Sequence, residues 1–79
     1  MADTRKKWLA GFYAGVCSAL ACIAAQDGPD SVLWCETIQA CGGSELADFA
    51  EAEGDVYAEQ IRTTATELER RRHKETVNG

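Results

Sequence analysis

Between Trp8 and Ile61 the chain has no lysine and no arginine. Phosphate contacts need such cations, so direct nucleic-acid binding through this stretch is not expected. There is one histidine, His73, and it stands among Arg70, Arg71, Arg72 and Lys74. It reads as a solvated side chain at a helix end. No serine sits in a nucleophile elbow, and no glycine loop is built to cradle phosphate. A nucleophile, a base and an orienting group never come together, so neither an enzyme nor a cofactor is expected. The one proline, Pro29, lies in Asp27-Gly28-Pro29-Asp30-Ser31. That segment lacks the further spaced ligands and the closing glutamate of a calcium loop, so it reads as a turn and a helix cap. Val, Ile and Thr never gather into an alternating run, which leaves no strand signal.

What remains is an alanine-rich, acidic chain of 79 residues with a net charge of −5. That length makes one domain. Such a domain buries only about 60–65% of its unfolded surface, so it needs a disulfide, a metal or a partner chain to gain stability. The eight basic residues lie at the two ends: Arg5, Lys6 and Lys7, then Arg62, Arg70, Arg71, Arg72 and Lys74. The body between carries nine acids: Asp27, Asp30, Glu36, Glu45, Asp48, Glu51, Glu53, Asp55 and Glu59.

Breakers and caps predict four helices, over about residues 4–26, 31–41, 44–53 and 55–73, with frayed termini. Asp3 or Thr4 caps the first. Gly28 and Pro29 end it. Asp30 or Ser31 caps the second, and Gly42-Gly43 stops it. Ser44 caps the third, with Glu45 in its first turn. Asp55 caps the fourth after Gly54, and this helix ends in a cationic cluster that suits its dipole. The expected fold is therefore an all-α bundle of three to four helices, built on a long N-terminal helix and an antiparallel helical hairpin.

The first helix holds an uncharged run of 18 residues, Trp8 to Ala25, behind a short basic segment. A secretory signal and a membrane span share that outline. Its richness in Ala and Gly, and the interruptions at Tyr13 and Ser18, favour a buried helix of a cytoplasmic protein, with no membrane expected. One stripe of this helix is large: Trp8, Phe12, Val16, Leu20 and Ile23. Another is small: Gly11, Gly15, Ser18, Cys22 and Ala25. Gly11 and Gly15 form a G-x-x-x-G, which admits a second backbone at close range. A helix apolar all round must be covered on several sides. The other three helices wrap it, or a second copy does, so Trp8, Gly11, Phe12 and Gly15 are candidates for self-association or close helix packing. Core stripes are expected from Val32, Leu33, Trp34 and Ile38, from Leu46, Phe49 and Ala50, and from Val56, Tyr57, Ile61, Ala65 and Leu68.

A hairpin turning near Gly28-Pro29 sets Cys17 level with Cys41 and Cys22 level with Cys35. Five residues turn a helix by about 140° and six by about 240°, so neither pair of cysteines shares one side of its helix. The spacing does not suit a structural zinc site, and no metal is expected. Reduced thiols acting as small apolar residues are expected; one or two disulfides in an oxidising compartment are the alternative. The second of these goes with a structural or regulatory helical hairpin.

Glu45, Asp48, Glu51, Glu53, Asp55 and Glu59 form an acidic belt. Its plain role is solubility; its functional role is docking on a basic partner by electrostatic steering. Trp34 is the candidate aromatic anchor for such a contact. Arg70 to Lys74 reads as a solvated helix end.

Trp8-x-x-Gly11-Phe12-x-x-x-Val16, with Ala19-Leu20-x-x-Ile23 and Gly54-Asp55, resembles small acidic accessory proteins of phages and prophages. That class includes anti-defence inhibitors such as anti-CRISPR proteins. The resemblance implies a non-enzymatic inhibitor in the host cytoplasm, bound to a nucleic-acid-handling host complex. It transfers no individual functional residue.

Overall fold

The structure is a computed structural model that describes the backbone of residues 2–78 and the side chains of residues 4–74. It has four helices and, among the described residues, no strand: α1 (Ala2–Asp27), α2 (Val32–Ala40), α3 (Ser44–Ala52) and α4 (Ala58–Asn78). The expected all-α bundle is present. The expected fraying of the C-terminal residues falls on side chains outside that description, while α4 itself runs past His73 to Asn78.

Each break has a local cause. Gly28 closes α1 with φ 93°, and its N–H donates to the Ala24 carbonyl at 3.1 Å. Ser31 then caps α2: its Oγ accepts from the Trp34 N–H at 3.3 Å. Two caps differ from expectation. Gly43, not Ser44, stands at the cap of α3, and no side chain caps that end. The cause is the Gly42-Gly43 turn, which brings the chain into α3 with Ser44 already helical. Asp55 caps a turn rather than α4 itself. Its Oδ1 accepts from the Tyr57 N–H at 2.8 Å and its carbonyl from the Ala58 N–H at 3.0 Å, so α4 begins at Ala58.

The core takes Val16, Cys17 and Leu20 from α1, Trp34 and Ile38 from α2, Leu46, Ala47 and Ala50 from α3, and Ile61 and Ala65 from α4. Burial of each large member contributes about 1.5–3 kcal/mol. Trp34 is the central piece. It is fully buried, its Nε1 donates to Thr64 Oγ1 at 2.8 Å, and it meets the Tyr57 ring nearly edge-on at 5.9 Å. Three expected core residues are outside: Val32, Leu33 and Val56 are exposed. A helix of nine residues turns only part of its surface inward, and α2 spends that face on Trp34 and Ile38. Val56 belongs to the turn before α4, not to its stripe.

α1 packs on α2 and α3, and α4 packs on the same two helices. The molecule is therefore flat, 39 × 34 × 17 Å. This arrangement overturns the first of the two coverings expected for α1, wrapping by the other three helices. A 26-residue helix is about 39 Å long, whereas α2 and α3, at nine residues each, span about 14 Å. They cover the segment around Tyr13 to Ala24 and leave the turns before it projecting. Trp8 is 65% exposed and Phe12 41%. A Cβ placed on Gly11 or Gly15 would meet nothing within 4 Å, so no helix of the same chain approaches the G-x-x-x-G. Thr4–Asp27 is long and apolar enough to cross a membrane by length and composition, and only 11% of its apolar window is buried.

Candidate docking surface

Eight of the nine body acids are exposed, and Asp55 is half-buried. They do not form one uniform belt. The first cation after the acidic stretch, Arg62 on α4, folds back over α3. Its Nε and Nη2 donate to the two Glu51 oxygens at 2.9 and 2.8 Å, and Nη2 also donates to Asp48 Oδ1. The hydrogen bonds to Arg62 hold the Glu51 carboxyl below its ordinary value. The same two carboxylates raise the guanidinium above its own. Asp48 and Glu51 are thus tied to the fold, and the single Arg62 charge offsets half of their combined charge.

Glu45, in the first turn of α3, is engaged instead by α1. The Tyr13 hydroxyl donates to its Oε2 at 3.0 Å, and the Tyr13 ring lies against Phe49 at 5.7 Å. Partial burial first, then the hydrogen bond to Glu45 and its charge, push the Tyr13 phenol above its ordinary value. Tyr13, expected only to interrupt an apolar run, is the contact that joins α1 to the start of α3.

Glu53 and Asp55 stand on the rim of an open groove between α1 and α3, about 280 Å³ in volume, with Ala14, Cys17, Ser18, Ala21 and Phe49 beneath them. Burial, then the charge and hydrogen bonding of Asp55, push the Cys17 thiol up. A thiol shifted that way is a poor nucleophile, because the thiolate is the reactive form. Glu59 lies elsewhere. With Asp30, Pro29, Gln60, Thr63 and Thr64 it lines a second open groove of about 400 Å³, between the α1–α2 turn and α4. No three potential ligands among the described residues are placed to hold a metal ion.

The acids are thus legible in the sequence, and their grouping is not. Arg62, Tyr13 and Thr64 were missed as structural partners. Only Arg62 carried a signal, as the first cation after an uncompensated acidic run. Trp34 is corrected from docking anchor to core residue, since a fully buried indole with a satisfied N–H offers no surface. The exposed aromatic pair is instead Trp8 and Phe12, stacked with ring centres 5.6 Å apart and planes 2° from parallel. All four cysteines are unpaired: Cys17 is buried, Cys22 exposed, and Cys35 and Cys41 half-buried. Burial as a small apolar residue thus describes Cys17 fully and Cys22 not at all. In the basic turn, Arg70 and Arg71 both reach Glu67, at 3.5 and 3.7 Å along the helix surface. Comparison with protein-family models, with characterised proteins and with solved structures gave no match.

Proposed function

We propose that this chain is a non-enzymatic protein-binding module that docks an acidic surface on a basic, nucleic-acid-handling partner, in the manner of a phage-type inhibitor in the host cytoplasm. The observation that carries this reading is the mostly exposed run of acids from Asp27 to Glu59, which contains no cation of its own and in which the single cation Arg62 pairs only with Asp48 and Glu51. Such a single-sign surface steers a basic partner from beyond contact range and repels polyanions that compete for the same channel. Glu45, Glu53, Asp55 and Glu59 lie outside the Arg62 clamp, and Glu53 and Glu59 stand farthest from any structural duty.

The test is affinity capture from nuclease-treated cell extract at low and moderate salt, with wild type and with the double variant Glu53→Lys/Glu59→Lys. The expected result is a basic protein held at low salt by wild type and released by salt or by charge reversal. Equal retention by both forms contradicts the proposal.

A second reading rests on α1. A helix long and apolar enough for a bilayer, mostly unburied, with Arg5, Lys6 and Lys7 at its start, also suits a membrane. Co-flotation with anionic lipid vesicles, in the absence of any captured protein, selects this reading over the first.

A further inference from the structure

The groove between α1 and α3 combines a mostly apolar floor with a rim of one charge. Ala14, Ser18 and Ala21, spaced four and three along one face of α1, make the floor, and Phe49 of α3 closes its side. Glu53 and Asp55 stand on the rim. The end of α3 adds to their charge. A helix C-terminus carries partial negative charge and favours a cation, yet the last turn of α3 holds no basic residue and Glu53 is its cap. Asp55 is fixed in place. Its N–H donates to the Ala50 carbonyl at 2.9 Å, and its Oδ1 accepts from the Tyr57 N–H. Among the described residues no cation reaches Glu53 or Asp55, and Arg62, which folds over α3, is engaged by Asp48 and Glu51.

We propose that this groove takes one lysine or arginine side chain of a protein partner, with its methylene stem on Ala14, Ser18 and Ala21 and its cationic head at Glu53 and Asp55. The inference rests on the docking role proposed above and names a contact through which that role is exercised.

Charge and shape select this occupant. Long basic side chains lay an apolar stem along apolar surface and keep the charged head in water. An anion is repelled by two carboxylates and a helix end of the same sign. A purely apolar side chain suits the floor but leaves that charge unanswered. At about 280 Å³ the groove admits a side chain, not a helix. The second groove carries Asp30 and Glu59 but lacks such a floor, being lined by Pro29, Gln60, Thr63 and Thr64.

Fluorescence anisotropy with a labelled hexalysine peptide at low salt tests the proposal on the full chain. Glu53→Gln should weaken binding about threefold, the scale of one exposed ion pair. Ser18→Leu and Ala14→Leu leave the charge unchanged but fill the floor, and each should weaken binding about fivefold by displacing the stem. Both positions are exposed, so circular dichroism should match wild type. Glu36→Gln removes an exposed acid of α2, outside the groove, and should change binding much less. In wild type, amide resonances of Ser18, Ala21 and Gly54 should move most as the peptide is added. Floor variants that bind as well as wild type, with Glu53→Gln no different from Glu36→Gln, overturn the groove and leave the acidic docking surface standing. Amide shifts concentrated away from α1 and the end of α3 overturn it in the same way. A wild type that does not bind hexalysine overturns both. A wild type that sediments as a dimer, and as a monomer after Glu53→Gln, overturns the partner as source, because the cation then comes from a second copy.

Discussion

The Tyr13 ring occupies the space where a side chain at position 42 would stand. A Cβ added to Gly42 would lie 2.9 Å from Tyr13 Cε1 and 3.1 Å from Leu46 Cβ, at a backbone φ of 141°. The missing side chain is what allows α1 to close on the α2–α3 turn and lets the Tyr13 hydroxyl reach Glu45.

Gly42→Ala should therefore destabilise the protein by about 1–3 kcal/mol, through overpacking and backbone strain together. In a domain this small, thermal unfolding should shift down by several degrees. A melting temperature equal to wild type shows that the turn can rotate away from Tyr13.

Gly15 should behave in the opposite way. With open space around it, Gly15→Ala should stabilise an isolated chain by about 0.5–1 kcal/mol through helix propensity alone. Gly15→Leu should likewise leave the fold intact, contrary to the overpacking expected if another helix of the same chain lay there. A loss of helix content in Gly15→Leu contradicts this assignment.

Trp34 gives the strongest packing test. Trp34→Ala should cost about 3–5 kcal/mol and prevent folding or nearly so, whereas Trp34→Phe, which keeps most of the volume but strips Thr64 Oγ1 of its donor, should cost about 1–3 kcal/mol. Urea titration followed by circular dichroism reads both. A Trp34→Ala protein as stable as wild type would return this residue to the surface.

The Arg62 clamp predicts an acid-side dependence. The Glu51 carboxyl is depressed in the folded state from an ordinary value of 4.5. Its contribution is fully present above that value and is lost as pH falls through the lower folded one. Arg62→Gln should flatten this part of the stability profile. Tyr13 has the reverse sign: its folded value is raised from 10.0, so its contribution holds below that pH and is lost as pH rises above it. Tyr13→Phe should flatten the alkaline side and leave the acid side alone. Reversal at Asp48 or Glu51 should weaken α3–α4 docking, so these two positions are unsuitable for testing binding by charge reversal.

The order of the helices was legible because their boundaries are local events. Gly28, Ser31 and the Gly42-Gly43 pair act within one turn of chain, and the sequence displays them directly. Burial was less legible. Periodicity identified the apolar face of α1 but not the length of its neighbours, and nine-residue helices cannot line a helix three times as long. In α2, Trp34 and Ile38 are four residues apart and turn inward together, while Val32 and Leu33 are as apolar yet point out; nothing local separates the two pairs. The docking surface was legible as charge but not as geometry. Which acids remain uncompensated depends on where Arg62 and Tyr13 land, and those contacts span 11 and 32 residues of sequence.

The most direct test of the account measures the association rate of the captured basic partner at two salt concentrations, for wild type and for Glu53→Lys/Glu59→Lys. Steering by the acidic surface predicts a rate that falls with added salt and falls again with the double reversal, while the dissociation rate changes little. An association rate indifferent to both salt and reversal contradicts it, and assigns the binding energy to the exposed Trp8–Phe12 pair instead.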